Sequence, residues 1–205
     1  MKIRKNIFQA SVELLAGTHA LAVLTSLAYG IYGPKKIDRI SDLEETFDSN
    51  HYQYVTDFVA SMYGGKGTHQ TNVLLDEAVT FEDPAASCSG PKEVEEAFRA
   101  LKYIQPNSLS SPRCVDVKPK GALIELTYAL NQRYLDSIEL ESLLVVVVKL
   151  KQMSTKPEEN IFLIQKVEEQ WNGVEPLRAY LFQIVRRING IISYALTTNL
   201  LKGGN

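Results

Sequence analysis

The stretch Leu74–Leu101, LLDEAVTFEDPAASCSGPKEVEEAFRAL, decides how the chain is read. Ala78–Glu82 has the makings of a strand, and Pro84 stops it because proline brings no N–H to a ladder. Gly90-Pro91 then opens a helix, with proline in its first turn and Glu93, Glu95 and Glu96 close behind. Val94, Ala97, Phe98 and Leu101 supply its buried stripe. A short helix over Thr68–Leu75 is expected to lead into the strand. Between strand and helix stand two acids, Glu82 and Asp83, against the proline. Asp83 can cap the turn by accepting backbone N–H bonds while Glu82 points to water. It can also stand at a pocket rim, where apolar walls raise its pKa and let it take a proton.

Downstream the period shifts from helical to alternating. Arg113–Lys118 reads as a short strand, and Leu123–Tyr134 alternates with Ile124, Leu126, Tyr128 and Leu130 on one face. Ser142–Gln152 holds LLVVVV, too continuous to have a wet face, and is therefore central in its sheet. Ile161–Trp171 is the last strand, which presents either Glu168 or, on the other parity, Glu169 and Trp171. Pro176 is expected to start a helix with Leu177, Tyr180, Leu181, Ile184, Val185 and Ile188 as the buried stripe. Arg178, Gln183, Arg186 and Arg187 lie opposite, as a solvated face. Asn189-Gly190 reads as a break before a second apolar segment, Ile191–Leu201. Upstream, Ile37–Tyr63 reads as a helix ended by Gly64-Gly65.

The 205 residues suffice for one ordinary core. A composition 45% hydrophobic and 22% charged is that of a folded domain. A net charge of −2 without a basic run interleaved with aromatics sets nucleic acid aside. Cys88 and Cys114 have neither metal-ligand spacing nor a disulfide pattern, so no metal site and no cofactor are expected. The span Leu14–Pro34 carries no charged side chain, with Lys2, Arg4 and Lys5 before it and Lys35, Lys36 and Arg39 after. As a helix it would measure roughly 30 Å, about one hydrocarbon thickness. Three readings stay open: a membrane-spanning or membrane-docked helix, a cleaved presequence, or a helix packed on the domain or a partner.

The order helix, short helix, strand, helix and long antiparallel strands resembles the nuclear transport factor 2-like superfamily, in its SnoaL-like (polyketide-cyclase-like) branch. The likeness is carried by Leu74–Leu101, with its acid-Pro step and Phe98-x-x-Leu101, and by IQKVEEQW, Ile164–Trp171. It implies an α+β fold in which a curved antiparallel sheet wraps helices into a cone, with the N-terminal apolar helix outside the domain. The corresponding divisions are 1–36 for that helix, 37–189 for the domain and 190–205 for an apolar extension. The resemblance also implies a pocket, with Tyr54, Phe58, Asp83, Tyr128 and Trp171 as the residues to contact a ligand. In a catalytic version Asp83 would be the base and Tyr128 the hydrogen-bond donor. None of the histidines, His19, His51 and His69, falls on a strand, which removes a His-Asp dyad.

Two functions follow as expectations. The first is a non-catalytic, membrane-associated domain, tethered through residues 7–33 and acting as an interaction or assembly subunit in a mitochondrial or endomembrane setting. Sheet-mediated pairing, as a homodimer or hetero-oligomer, belongs to the same reading. The second is an isomerase, cyclase, dehydratase or carrier for a small hydrophobic molecule held in the cone.

Overall fold

The computed structural model describes residues 20–33, 52–64, 73–101, 107–134, 138–152 and 160–202. In chain order the elements are helix α1 (described over 20–32), α2 (Gln53–Tyr63), β1 (Val73–Glu82), β2 (Ser87–Ser89), α3 (Pro91–Ala100) and β3 (Asn107–Ser108). There follow β4 (Arg113–Lys120), β5 (Leu123–Tyr134), β6 (Ile138–Gln152), β7 (Ile161–Trp171) and α4 (Tyr180–Lys202). The expected helix over Thr68–Leu75 is corrected in its last three residues, which belong to β1; the others lie outside the described residues, as do 37–51 of the first long helix.

The fold is α+β, with one curved, unclosed sheet. The strands run in the order β2-β1-β7-β6-β5-β3, with β4 also on β5. β6 is an inner strand, as its unbroken apolar run requires. The sheet is mixed and not purely antiparallel, because β1 pairs with β7 in parallel while every other pair is antiparallel. A parallel neighbour needs a long crossover, and here most of the chain, from β2 to β6, supplies it.

Helices α2 and α3 cover one face. Val55, Phe58, Val59 and Met62 of α2 and Val94 and Phe98 of α3 pack on Val79, Phe81, Leu126, Tyr128, Leu144, Val146, Phe162, Ile164 and Val167 of the strands. Phe98 sits edge-on to both Tyr63 and Phe81, with centroids 5.4 and 4.8 Å away. This is the geometry that ring quadrupoles favour.

The described part of α1 accords with one of the three readings left open for the uncharged span, and α4 departs from expectation. The described part of α1 is seated on the domain. Ala22, Ser26 and Gly30, four residues apart, face inward, while Leu21, Leu24 and Tyr32 are exposed. The Ser26 hydroxyl donates to the Pro84 carbonyl, and Asn172 Nδ2 donates to the Ile31 carbonyl at 3.1 Å. Gly30 is required because a Cβ there would lie 2.8 Å from Pro84 Cγ. No helix among the described residues is long and apolar enough to cross a membrane.

Helix α4 begins at Tyr180, not Pro176, and runs unbroken through Asn189-Gly190. Most of its expected stripe faces outward, although Val185 is buried and Arg178 and Gln183 are exposed as the pattern suggests. Arg186 is 2% exposed, whereas Leu181 is 62% and Ile188 41% exposed. The cause is the turn after β1. Its carbonyls leave the ladder at Pro84, and α4 supplies the donors: Arg186 Nη1 to Asp83 O at 3.2 Å, Asn189 Nδ2 to Ala85 O at 2.8 Å and Arg187 Nη1 to Ser87 O at 3.3 Å. Backbone carbonyls without partners are costly, and satisfying them turns the polar ridge of the helix inward.

Candidate functional site

Where β1, β7, α3 and α4 meet there is a cavity of about 200 Å³, walled by apolar side chains such as Phe81, Phe98 and Leu101. Two carboxyl groups, Asp83 and Glu169, stand in that wall. Their meeting is a product of register. Phe81 lies opposite Val167 and Glu82 opposite Glu168 in the parallel pair, so the next step sets Asp83 beside Glu169. A bulge near Gln165 shifts the β7 pairing between Val147 and Val148 of β6. Phe162 and Ile164 point into the core before it, Val167 and Glu169 after it. One extra residue thereby decides which of the two adjacent glutamates faces the cavity.

Asp83 holds two positions at once. Its Oδ1 accepts the backbone N–H groups of Ala85, at 2.6 Å, and Ala86, which is the turn-capping role. Burial pushes its pKa up to about 6, against the lowering effect of those two N–H groups and of Arg186. Glu169 is the deeper acid. Tyr63 donates to its Oε2 at 2.8 Å and Ser142 to its Oε1 at 2.9 Å. Burial, then the charge of Asp83, push Glu169 up to about 7; Tyr63, Ser142 and the indole of Trp171 act the other way. The Trp171 N–H comes near without completing a hydrogen bond. Two carboxyls raised toward neutrality in one cavity wall are the kind of groups that a proton-transfer role needs.

Glu168 lies on the other face. Burial pushes it up, but hydrogen bonds from Lys166 and Gln170 and the charges of Lys166 and Arg178 bring it below the usual carboxylate range. It is a structural ion pair. Burial and the neighbouring Asp83 and Glu93 push the thiol of Cys88 up to about 12, away from the thiolate form.

Of the residues expected to contact a ligand, only Asp83 lines this cavity. Tyr128 does not join it: the ring is fully buried, burial raises its pKa, and its hydroxyl takes a long 3.4 Å bond from Thr56. This cavity therefore does not bring Asp83 and Tyr128 together, and the tyrosine in its wall is Tyr63. Phe58 is core, and Tyr54 packs half-buried against it. Trp171 closes the end of β7 beside Gly30 and Pro84. Tyr63 and Ser142 were not legible as site residues, because one reads as a helix end and the other as a strand start. Among the described residues no group of three or more His, Cys, Asp or Glu could hold a metal ion.

Comparisons with protein-family models, with curated proteins and with solved structures return no match for this chain.

Proposed function

We propose that this protein is a non-catalytic, SnoaL-like domain that docks on a membrane surface through the outward faces of α1 and α4. One observation carries the reading. Apart from the buried Val185, the residues that both helices bury are small or polar (Ala22, Ser26, Gly30, Arg186, Gly190 and Thr197), while large apolar ones face solvent, unlike an ordinary surface helix. The outward positions of α1 are Leu21, Leu24, Ile31 and Tyr32; those of α4 are Leu181, Ile184, Ile188, Ile191, Ile192 and Leu196. Between Ile188 and Leu201 α4 has no charged residue at all. Both helices are bolted to the same turn, at the carbonyls of Asp83, Pro84 and Ala85. An apolar face of this extent marks an interaction site, and a helix lying in the bilayer interface buries one. The basic residues that flank the uncharged span suit anionic headgroups. The SnoaL-like reading is supported by the strand-helix-strands order and by helices gathered on one face of the sheet.

The test is vesicle flotation of Leu181→Asp/Ile184→Asp against the parent. Burying each of these half-exposed side chains is worth about 1–2 kcal/mol, so lipid binding should fall at least about tenfold with the melting temperature unchanged. Equal flotation of the two proteins would end the reading. A parent dimer that the variant dissolves, with no flotation by either, would put a second copy on this face instead.

A second reading, a carrier or proton-transfer enzyme for a small apolar molecule, is favoured by the enclosed acid pair. At about 200 Å³ the cavity is below the size that drug-like ligands occupy, so its guest would be small. Native mass spectrometry of freshly purified protein should then show an added mass that Phe98→Trp, which fills the space, removes. An unadorned parent mass would count against it.

A further inference from the structure

The cavity that holds Asp83 and Glu169 has two carboxyl groups in its wall and no described Lys, Arg or His. Among the described residues neither carboxyl has an ion-pair partner. Arg186, whose charge reaches Asp83, gives its Nη1 to the backbone carbonyl of that residue and not to the carboxylate. We infer that this cavity binds a small primary amine in its ammonium form. The inference rests on the second reading, a site for a small guest, and names the chemistry of that guest.

A buried carboxylate is tolerated when it is hydrogen-bonded and matched by a cation. The hydrogen bonds are in place. Tyr63 and Ser142 donate to the two oxygens of Glu169, at 2.8 and 2.9 Å, and the indole N–H of Trp171, a donor only, lies close by. At Asp83 the N–H groups of Ala85 and Ala86 both go to Oδ1. Its Oδ2 takes no bond from the described residues and is not among their enclosed polar atoms, so it is open to an incoming donor. What the wall does not supply is positive charge.

An alkylammonium suits this wall better than a metal ion. Hard cations take about six oxygen ligands, whereas most of this wall is apolar and includes Tyr63, Phe81 and Phe98. The N–H groups of an ammonium can pair with Asp83 Oδ2 and Glu169, aromatic neighbours favour its charge, and its chain can lie along Phe81, Phe98 and Leu101. The volume is that of roughly six or seven waters, room for an amine of about four to six carbons. Ala85 and Ala86 of the turn, Ala97 and Ala100 of α3 and Ser193 of α4 are only half-buried, and their small side chains leave a way in.

Binding of this kind is linked to pH. In the protein alone, burial and then the charge of Asp83 push Glu169 up to about 7, and burial pushes Asp83 up to about 6. A cation between them favours both ionised forms, so binding expels the protons they hold and strengthens as pH rises through that range. Of the other groups around the cavity, Tyr63 serves Glu169 as a donor, and the Cys88 thiol, pushed up to about 12, stays neutral. Arg186 behind the turn and the Arg187–Glu93 pair beside Cys88 are charged throughout.

The experiment titrates n-butylammonium into the full chain by calorimetry at pH 6 and pH 8, with n-butanol as a neutral probe of the same shape. Butylammonium should bind saturably, at least about tenfold more tightly at pH 8 than at pH 6, with proton release seen by comparing two buffers of different ionisation enthalpy. Butanol should bind at least about tenfold more weakly than butylammonium at pH 8. Glu169→Gln, and Asp83→Asn, whose amide oxygen can still accept from Ala85 and Ala86, should each weaken butylammonium at pH 8 at least about tenfold, with folding checked by their melts. Butanol bound as tightly as butylammonium would overturn the inference and leave a pocket for neutral guests, so the second reading would survive. Saturable binding of neither probe overturns both. Butylammonium binding that ignores both substitutions puts the cation elsewhere and overturns the inference as well.

Discussion

Gly190→Ala should destabilise the protein by about 2–4 kcal/mol, although alanine is the better helix former by about 1 kcal/mol. Gly190 is buried in the middle of α4, where a Cβ would drive into the backbone carbonyl of Ser87 and lie 3.3 Å from Cys88 Sγ. Neither obstacle is a flexible side-chain tip. Ser87 belongs to β2, whose partners on β1 are Thr80, Phe81 and Glu82, so moving it strains the sheet edge. Lifting α4 instead would loosen the Arg187–Glu93 pair and the bond from Asn189 to Ala85. For a chain of this size the loss corresponds to a melting temperature lower by about 4–16 °C. Circular dichroism melts at one pH suffice. An equal or higher melting temperature would mean that α4 can ride up without cost, and that its seat on β2 is not what holds it.

The same residue shows why parts of this fold were readable and others were not. Asn189-Gly190 has the signature of a helix end, because glycine is the residue that usually leaves a helix. Glycine is also the residue that lets two backbones approach, and nothing local distinguishes the two uses. Strands were legible where alternation or an unbroken apolar run specified them, as in β5 and β6. The inner place of β6 followed from Leu143–Val148 alone. The parallel β1–β7 pair was not legible, because pairing partners far apart in sequence leave no trace in periodicity. At the site, Asp83 announced itself by its step before Pro84. Glu169 could be named only as one of two parities, since a bulge at Gln165 leaves no composition signal. The orientation of α4 was the largest departure. Its apolar stripe reads as the core face, but the carbonyls of residues 83–87 needed donors, and Arg186, Arg187 and Asn189 lie on the other ridge. Hydrogen-bond demand from a distant turn outweighed the hydrophobic pattern, and left much of the apolar ridge exposed.

The buried acid pair makes a second large effect, in the pH dependence of stability. Glu169 has an ordinary value of 4.5 in the unfolded chain and about 7 in the fold. Between those two values the folded protein keeps a proton that the unfolded chain has released, so rising pH pulls the equilibrium toward unfolding. Its contribution is fully favourable below about pH 4.5, declines through the window up to about 7 and is constant above it. The full change is about 3 kcal/mol at 1.36 kcal/mol for each pH unit. Asp83, raised from 3.8 to about 6, adds a decline of the same sign at lower pH. Glu93, held down first by Arg187, and Glu168, held down by Lys166 and Gln170 against its burial, act with the opposite sign, but below the ordinary carboxylate range. Glu169→Gln should therefore flatten the profile between pH 5 and 7. Its amide oxygen can still accept from Tyr63, and its NH₂ can donate to the Ser142 hydroxyl in place of the bond Ser142 now gives. At pH 8 the variant should be more stable than the parent by about 1–3 kcal/mol, because it buries no charge there. Urea titrations at pH 5, 6, 7 and 8 measure both slopes. A variant that is less stable than the parent at pH 8, or that keeps the parent's slope, would show that Glu169 is ionised at little cost inside the fold. In that case the cavity is wetter than its apolar walls imply, and the case for a proton-transfer site loses its physical basis.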